Sequence, residues 1–159
     1  MRITIRYGEE RDLDEITDMV VKLKLLNEEL DPHFKVVDDL EDQVRRYVED
    51  AIRSGDTIVL VAEDEDTQTL AGVIIAKLID RIFYKPRMKV LITDFYVKPV
   101  YRRKRLGTLL LERIEAEASR RGAGIVTAVY PAYNSIAEHF YETHGFDKLQ
   151  VERYKPVTG

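Results

Sequence analysis

The spacing of apolar residues in this chain alternates between two and three to four, and a sequence carrying both periods has to pack helices against a sheet. Ile3, Ile5 and Tyr7 alternate with Thr4 and Arg6, which predicts a first strand over about residues 2–7. Asp12 and Glu15 have the spacing of a capping box, and Ile16, Met19, Val20, Leu23 and Leu30 follow at helical intervals. A second, acidic helix is predicted over 37–53, with Leu40, Val44, Tyr47, Val48 and Ile52 inward and Ser54-Gly55 as its stop. β-Branched runs at 57–62 and 70–79, joined by the polar turn 63–66, read as a hairpin, and 88–97 as a further strand ended by Lys98-Pro99. Leu106, Leu110, Ile114 and Ala118 restore the helical period up to Arg121-Gly122. A buried strand over 124–130, a short helix over 134–144 and a last strand over 146–154 complete the series.

Those elements form one mixed α/β (α+β) layer structure, with a central sheet of six to seven strands flanked by four helices. At 159 residues, with no repeat, linker or low-complexity tract, the chain is expected to be a single domain over 1–159. No apolar run approaches the roughly 20 residues of a membrane span, and Met1 leads directly into strand-like sequence. The expectation is a soluble, cytoplasmic protein with no membrane partner.

The absence of cysteine excludes disulfides, thiol nucleophiles and thiolate metal sites, and His33, His139 and His144 show no metal-ligand spacing, so no metal is expected. Charged residues make up 34% of the chain and Asn occurs only at 27 and 134, a bias that suits a thermophile. The net charge of −4 conceals a polarity: residues 1–80 carry 21 acids against 10 bases, residues 81–159 carry 8 against 15. A surface with an acidic half and a pI near 5.5 opposes nucleic-acid binding through the cations Arg102 to Arg105.

The chemistry concentrates where the strand ending at Val97 runs through Arg102-Arg103-Lys104-Arg105 into the helix beginning at Leu106-Gly107-Thr108. The first N–H groups of a helix lack intrahelical partners and sit at the positive end of its dipole, so a basic turn feeding a helix is an anion site. Asn134 and Tyr141, seven residues apart, fall on one helix face with the small Ala137 between them. Ile136 and Phe140 point elsewhere and are assigned to the core.

The lead Asp94-Phe95-Tyr96-Val97-Lys98-Pro99-Val100-Tyr101-Arg102 and the turn Arg103-Lys104-Arg105-Leu106-Gly107-Thr108 resemble the acetyl coenzyme A signature Q/R-x-x-G-x-G/A of the GNAT superfamily of N-acetyltransferases. Asn134 followed by Phe140-Tyr141-Glu142-Thr143-His144-Gly145-Phe146 resembles the later motif of the same superfamily. The resemblance implies a GNAT-like fold, acetyl coenzyme A as cosubstrate, and direct transfer of acetyl to a primary amine of a small molecule, peptide N-terminus or lysine. It further implies that backbone groups of Phe95, Tyr96 and Val97 hold the pantetheine arm, that Arg102, Arg103, Lys104, Arg105, Leu106, Gly107 and Thr108 hold the pyrophosphate, and that Asn134, Ala137 and Tyr141 line the cofactor groove. Tyr141 is the expected general acid for the leaving thiolate, because a phenol of pKa about 10 is protonated at neutral pH.

Family members resembling this chain carry Glu where Thr93 stands, which leaves Asp94 as the nearest carboxylate for the base, through water, or for a structural role. Arg105 departs from the usual Gly and is expected to adopt an ordinary negative φ, with Gly107 keeping the helix entry tight. The acidic half predicts a cationic acceptor, in a groove around Glu28, Glu29, Asp31 and His33. A homodimer is expected by resemblance. The alternative is a catalytically degenerate domain that binds acetyl coenzyme A as a sensor or assembly module.

Overall fold

A computed structural model describes residues 1–158. Its regular elements are β1 (Ile3–Tyr7), α1 (Leu13–Leu30), α2 (Leu40–Arg53), β2 (Thr57–Asp64), β3 (Thr69–Asp80), β4 (Met88–Val97), α3 (Leu106–Arg120), β5 (Ile125–Ala128) and α4 (Ser135–Thr143). The strands form one sheet in the order β1-β2-β3-β4-β5, antiparallel except for the parallel β4/β5 pair. None of the described helices is long and apolar enough to cross a membrane.

The sheet is covered on both faces. Alternate residues of β2 and β3 divide between the two layers: Ile58, Leu60, Ile74 and Ala76 pack with Leu106, Leu110, Leu111 and Ile114 of α3, while Val59, Val61, Val73 and Ile75 pack with Ile16, Met19 and Val20 of α1 and Val44 and Val48 of α2. Each fully buried Leu or Ile in these layers contributes about 1.5–3 kcal/mol relative to exposure.

Two sequence expectations are corrected. Asp12 does not cap α1 with Glu15. Its carboxylate closes on the Glu9 N–H (2.8 Å) and pairs with Arg6 (2.7 and 2.9 Å), while Glu15 accepts the Leu70 N–H at 2.9 Å, so tertiary partners outbid the local cap. Burial would raise the Asp12 pKa, but the Arg6 hydrogen bonds, the Glu9 N–H and the charges of Arg6 and Arg11 together hold it below the usual carboxylate value.

The sheet has five strands rather than six to seven, because 146–154 forms no strand. β5 is only four residues long, and the segment that follows α4 crosses toward the α1–α2 connection, where the Tyr154 hydroxyl meets His33 Nδ1 at 3.1 Å.

One irregularity in β4 sets up everything near the site. Ile75 lies opposite Asp94 and Ala76 opposite Ile92, so Thr93 is the extra residue of a β-bulge. Val90 and Ile92 face the α3 layer. Without the bulge Asp94 and Tyr96 would follow them; with it, Tyr96 packs into the α1–α2 layer and Phe95 and Val97 take the α3 side.

Candidate active site

β4 and β5 run together from Lys89/Ile125 to Ile92/Ala128, with a last contact from the Val129 N–H to the Ile92 carbonyl at 3.2 Å. Beyond the bulge β4 continues to Val97, paired with β3 on one side only. The backbone of Phe95, Tyr96 and Val97 therefore presents a strand edge with no neighbouring strand among the described residues, at the place where the sequence motif puts it.

That edge leads into the basic turn. Leu109 is the first residue of α3 whose N–H finds a backbone acceptor, the Arg105 carbonyl at 3.0 Å. Among the described residues, the N–H groups of Arg103, Lys104, Arg105, Leu106, Gly107 and Thr108 have no acceptor in hydrogen-bonding geometry, and Arg102 through Arg105 are all exposed. Arg103 and Arg105 have φ of 66° and 63°. Arg105 is thus in the left-handed region, contrary to the negative φ expected of it. The turn has to reverse direction and enter α3 with its N–H groups converging, and alternating backbone handedness is how such an anion-binding concavity is made. Arg102 lies with its guanidinium carbon 5.7 Å from the centre of the Tyr96 ring and donates Nε–H to the Val97 carbonyl at 3.1 Å, which ties the turn back to β4.

Gly107 has a packing role. A Cβ there would come within 3.2 Å of the Phe140 ring, so its absence lets the start of α3 close on α4. Phe140 in turn meets Phe95 edge to face, centroids 5.5 Å apart. Two contacts that the sequence did not signal reinforce this junction. His144 Nδ1 faces the Phe140 carbonyl at 2.7 Å and its Nε2 lies 2.9 Å from the Thr108 hydroxyl.

Asn134 is the N-cap of α4, its Oδ1 accepting the Ala137 N–H at 3.0 Å. Tyr141 is the one buried residue of α4. Its ring stacks on Tyr130 at 5.5 Å and meets Phe140 and Phe146 edge to face. Burial, with a smaller contribution from Tyr130, pushes the Tyr141 phenol well above its ordinary pKa. Phe140 does belong to the core, but Ile136, also assigned there, is 81% exposed.

On the opposite face of β4, Asp94 is buried and receives the Lys24 ammonium at 2.6 Å, the Thr93 hydroxyl at 2.8 Å and the Tyr47 hydroxyl. Burial first, then the Asp94 charge and hydrogen bond, raise the Tyr47 pKa far above that of a free phenol. Tyr47 reads from sequence as an inward helix position; only the bulge that turns Asp94 toward α1 and α2 reveals its role and that of Lys24.

A three-layer α/β/α fold with an opened strand edge running into a cationic helix entry is the architecture of an acyltransferase. The model of the Acetyltransferase (GNAT) family matches residues 23–146, and the chain belongs to that family. A protein from Bacillus halodurans, solved as a mutant, superimposes with TM-score 0.86 at 18% identity, covering 98% of this chain and 99% of its own. A predicted acetyltransferase from Clostridium acetobutylicum, solved with acetyl-CoA, gives 0.76 at 18% identity with coverages of 99% and 96%. Glucosamine-6-phosphate N-acetyltransferase from Arabidopsis thaliana gives 0.68 at 18%, covering 99% and 100%. At these identities the likeness is one of fold.

Proposed function

We propose that this chain transfers acetyl from acetyl coenzyme A to a primary amine by direct attack. The observation that carries this is the run of six unpartnered N–H groups, Arg103 to Thr108, at the N-terminus of α3 among exposed cations, continuous with the open edge of β4. A cosubstrate with a pyrophosphate and an amide-bearing arm fits both parts. The N–H groups and Arg102 to Arg105 would hold phosphate, and the β4 edge would pair with the arm as a strand does. The neighbours solved with acetyl-CoA and named for N-acetyl transfer agree with this choice.

When bound, acetyl coenzyme A supplies a thioester carbonyl for the amine to attack. The protein's part is to hold protons. Tyr141, kept protonated by burial at neutral pH, is the donor for the departing sulfur, and its ring is held in place by Tyr130, Phe140 and Phe146. Asp94 stands on the acceptor side. Its oxygens are engaged by Lys24, Tyr47 and Thr93, so it draws a proton from the amine through those hydroxyls or water rather than by contact.

Tyr141→Phe removes one hydroxyl and leaves the ring packing in place. Acetyl coenzyme A affinity by calorimetry and the unfolding midpoint are expected to stay within error of the wild type, while the single-turnover rate falls by about 10²- to 10⁴-fold. A Phe variant that keeps more than about a third of the wild-type rate removes Tyr141 from the chemistry.

A further inference from the structure

Beside the acceptor face lies a cavity of about 350 Å³ lined by Ile79, Arg81, Tyr84, Lys89, Leu149 and Gln150. Its position follows from strand register. Ile75 pairs with Asp94, Lys77 with Leu91 and Ile79 with Lys89, and residues opposite one another share a face. The cavity therefore occupies the same face of the sheet as Asp94, four residues of β3 away, or about 13 Å.

Its charge is one-sided. Arg81 and Lys89 have no carboxylate within ion-pair distance among the described residues, although the chain is rich in such pairs elsewhere. The neighbouring acid, Asp80, is taken by Arg87 at 2.7 and 2.9 Å. Arg81 is also pre-positioned, its guanidinium 5.3 Å from the Tyr84 ring centre and its Nη1–H donating to the Pro86 carbonyl at 3.3 Å. Lys77 stands between the cavity and the site, its ammonium 5.7 Å from the ring of Tyr47, so the stretch leading from the cavity to Asp94 is cationic as well. Leu149 and Gln150 belong to the segment after α4, which Tyr154 anchors to His33 through the 3.1 Å contact and rings 4.4 Å apart.

We propose that this cavity is an outer acceptor subsite that binds an acidic group, carboxylate or phosphate, on a substrate whose amine is acetylated near Asp94. The inference rests on the acetyl-transfer reading and narrows it: the acceptor is zwitterionic, an amine at one end and an acid up to about 13 Å away. Two cations on apolar walls supply charge-assisted hydrogen bonds to the acid, while Ile79, Tyr84 and Leu149 cover the chain that connects it to the amine.

Hexylamine, 6-aminohexanoate and 6-aminohexyl phosphate separate these contributions. With the wild-type protein and saturating acetyl coenzyme A, the acid-bearing probes are expected to show kcat/KM about tenfold or more above hexylamine, mostly through KM. Arg81→Gln/Lys89→Gln should abolish that advantage and leave hexylamine turnover unchanged. The larger gain between the two acids tells carboxylate from phosphate. Calorimetry with the same probes is run in parallel. If the acid-bearing probes bind tightly and lose affinity in the double variant while no acetylated product forms, the subsite stands and the transferase reading fails. If hexylamine is acetylated as well as the acids, or the variant weakens all three alike, the subsite is overturned and the transferase reading stands. Undetectable or equal binding of all probes also overturns it.

Discussion

Arg105 shows how a single backbone angle can escape a sequence argument. The motif has Gly at this position, and a side chain there reads most simply as evidence that the φ is ordinary; the turn into α3 nevertheless keeps its left-handed residue at 63° with Arg in place. Residue type states a preference, whereas the handedness of a closing turn is imposed by the elements on either side of it. An L-residue in this region costs roughly 1–2 kcal/mol, and glycine gives back about 0.5–1 kcal/mol of that through its freer unfolded chain. Arg105→Gly is therefore expected to raise stability by about 0.5–1 kcal/mol in urea unfolding, and Arg105→Val to lower it by at least as much. A glycine variant less stable than the wild type would show that the Arg105 side chain makes a stabilising contact that outweighs its strain. Helix spacing alone puts Asn134 and Tyr141 on one face in the sequence; in the structure Tyr141 is the buried residue of α4 and Asn134 is its N-cap, one residue outside the helix.

At the scale of elements, β4 is predicted over the same residues that form it, 88–97, yet its decisive property was hidden. Period-two alternation runs across Thr93 without any mark of the extra residue, since a bulge is defined by the partner strand and not by the strand that carries it. The bulge turns Asp94 to α1 and α2 and so creates the Lys24–Asp94–Tyr47 link between three elements. Tyr47→Phe removes one hydrogen bond to a buried carboxylate and is expected to cost about 1.5–3 kcal/mol in equilibrium unfolding. A loss below about 0.5 kcal/mol would mean that Thr93 or water replaces the phenol without penalty. The unformed last strand has a similar origin. Residues 146–154 have the composition of a strand, but pairing is a relation between two segments, and β5 ends after four residues.

For the whole molecule, the layer order and the join of a strand edge to a basic helix entry were visible in sequence, because both depend on period and on local order along the chain. What lay outside that reach was the α1–α2 face, where Lys24 of α1, Lys77 of β3, Arg81 of the β3–β4 connection and Lys89 of β4 gather, although much of the first half is acidic. Several of those acids are engaged in ion pairs of their own: Asp12 and Glu63 with Arg6, Glu10 with Arg53, Asp14 with Arg45. Net charge by segment thus says little about the charge of a cleft that several segments build. Transfer, and not mere binding, is the proposed role of the cradle at Arg103 to Thr108. It is tested most directly by incubating the protein with acetyl coenzyme A and a panel of primary amines, and following the appearance of the N-acetylated amine by mass spectrometry together with release of free thiol. Stoichiometric amide and thiol, increasing with amine concentration to saturation, is the predicted result; tight acetyl coenzyme A binding with no amide from any amine, with or without slow thioester hydrolysis, would contradict it and leave a binding domain in its place.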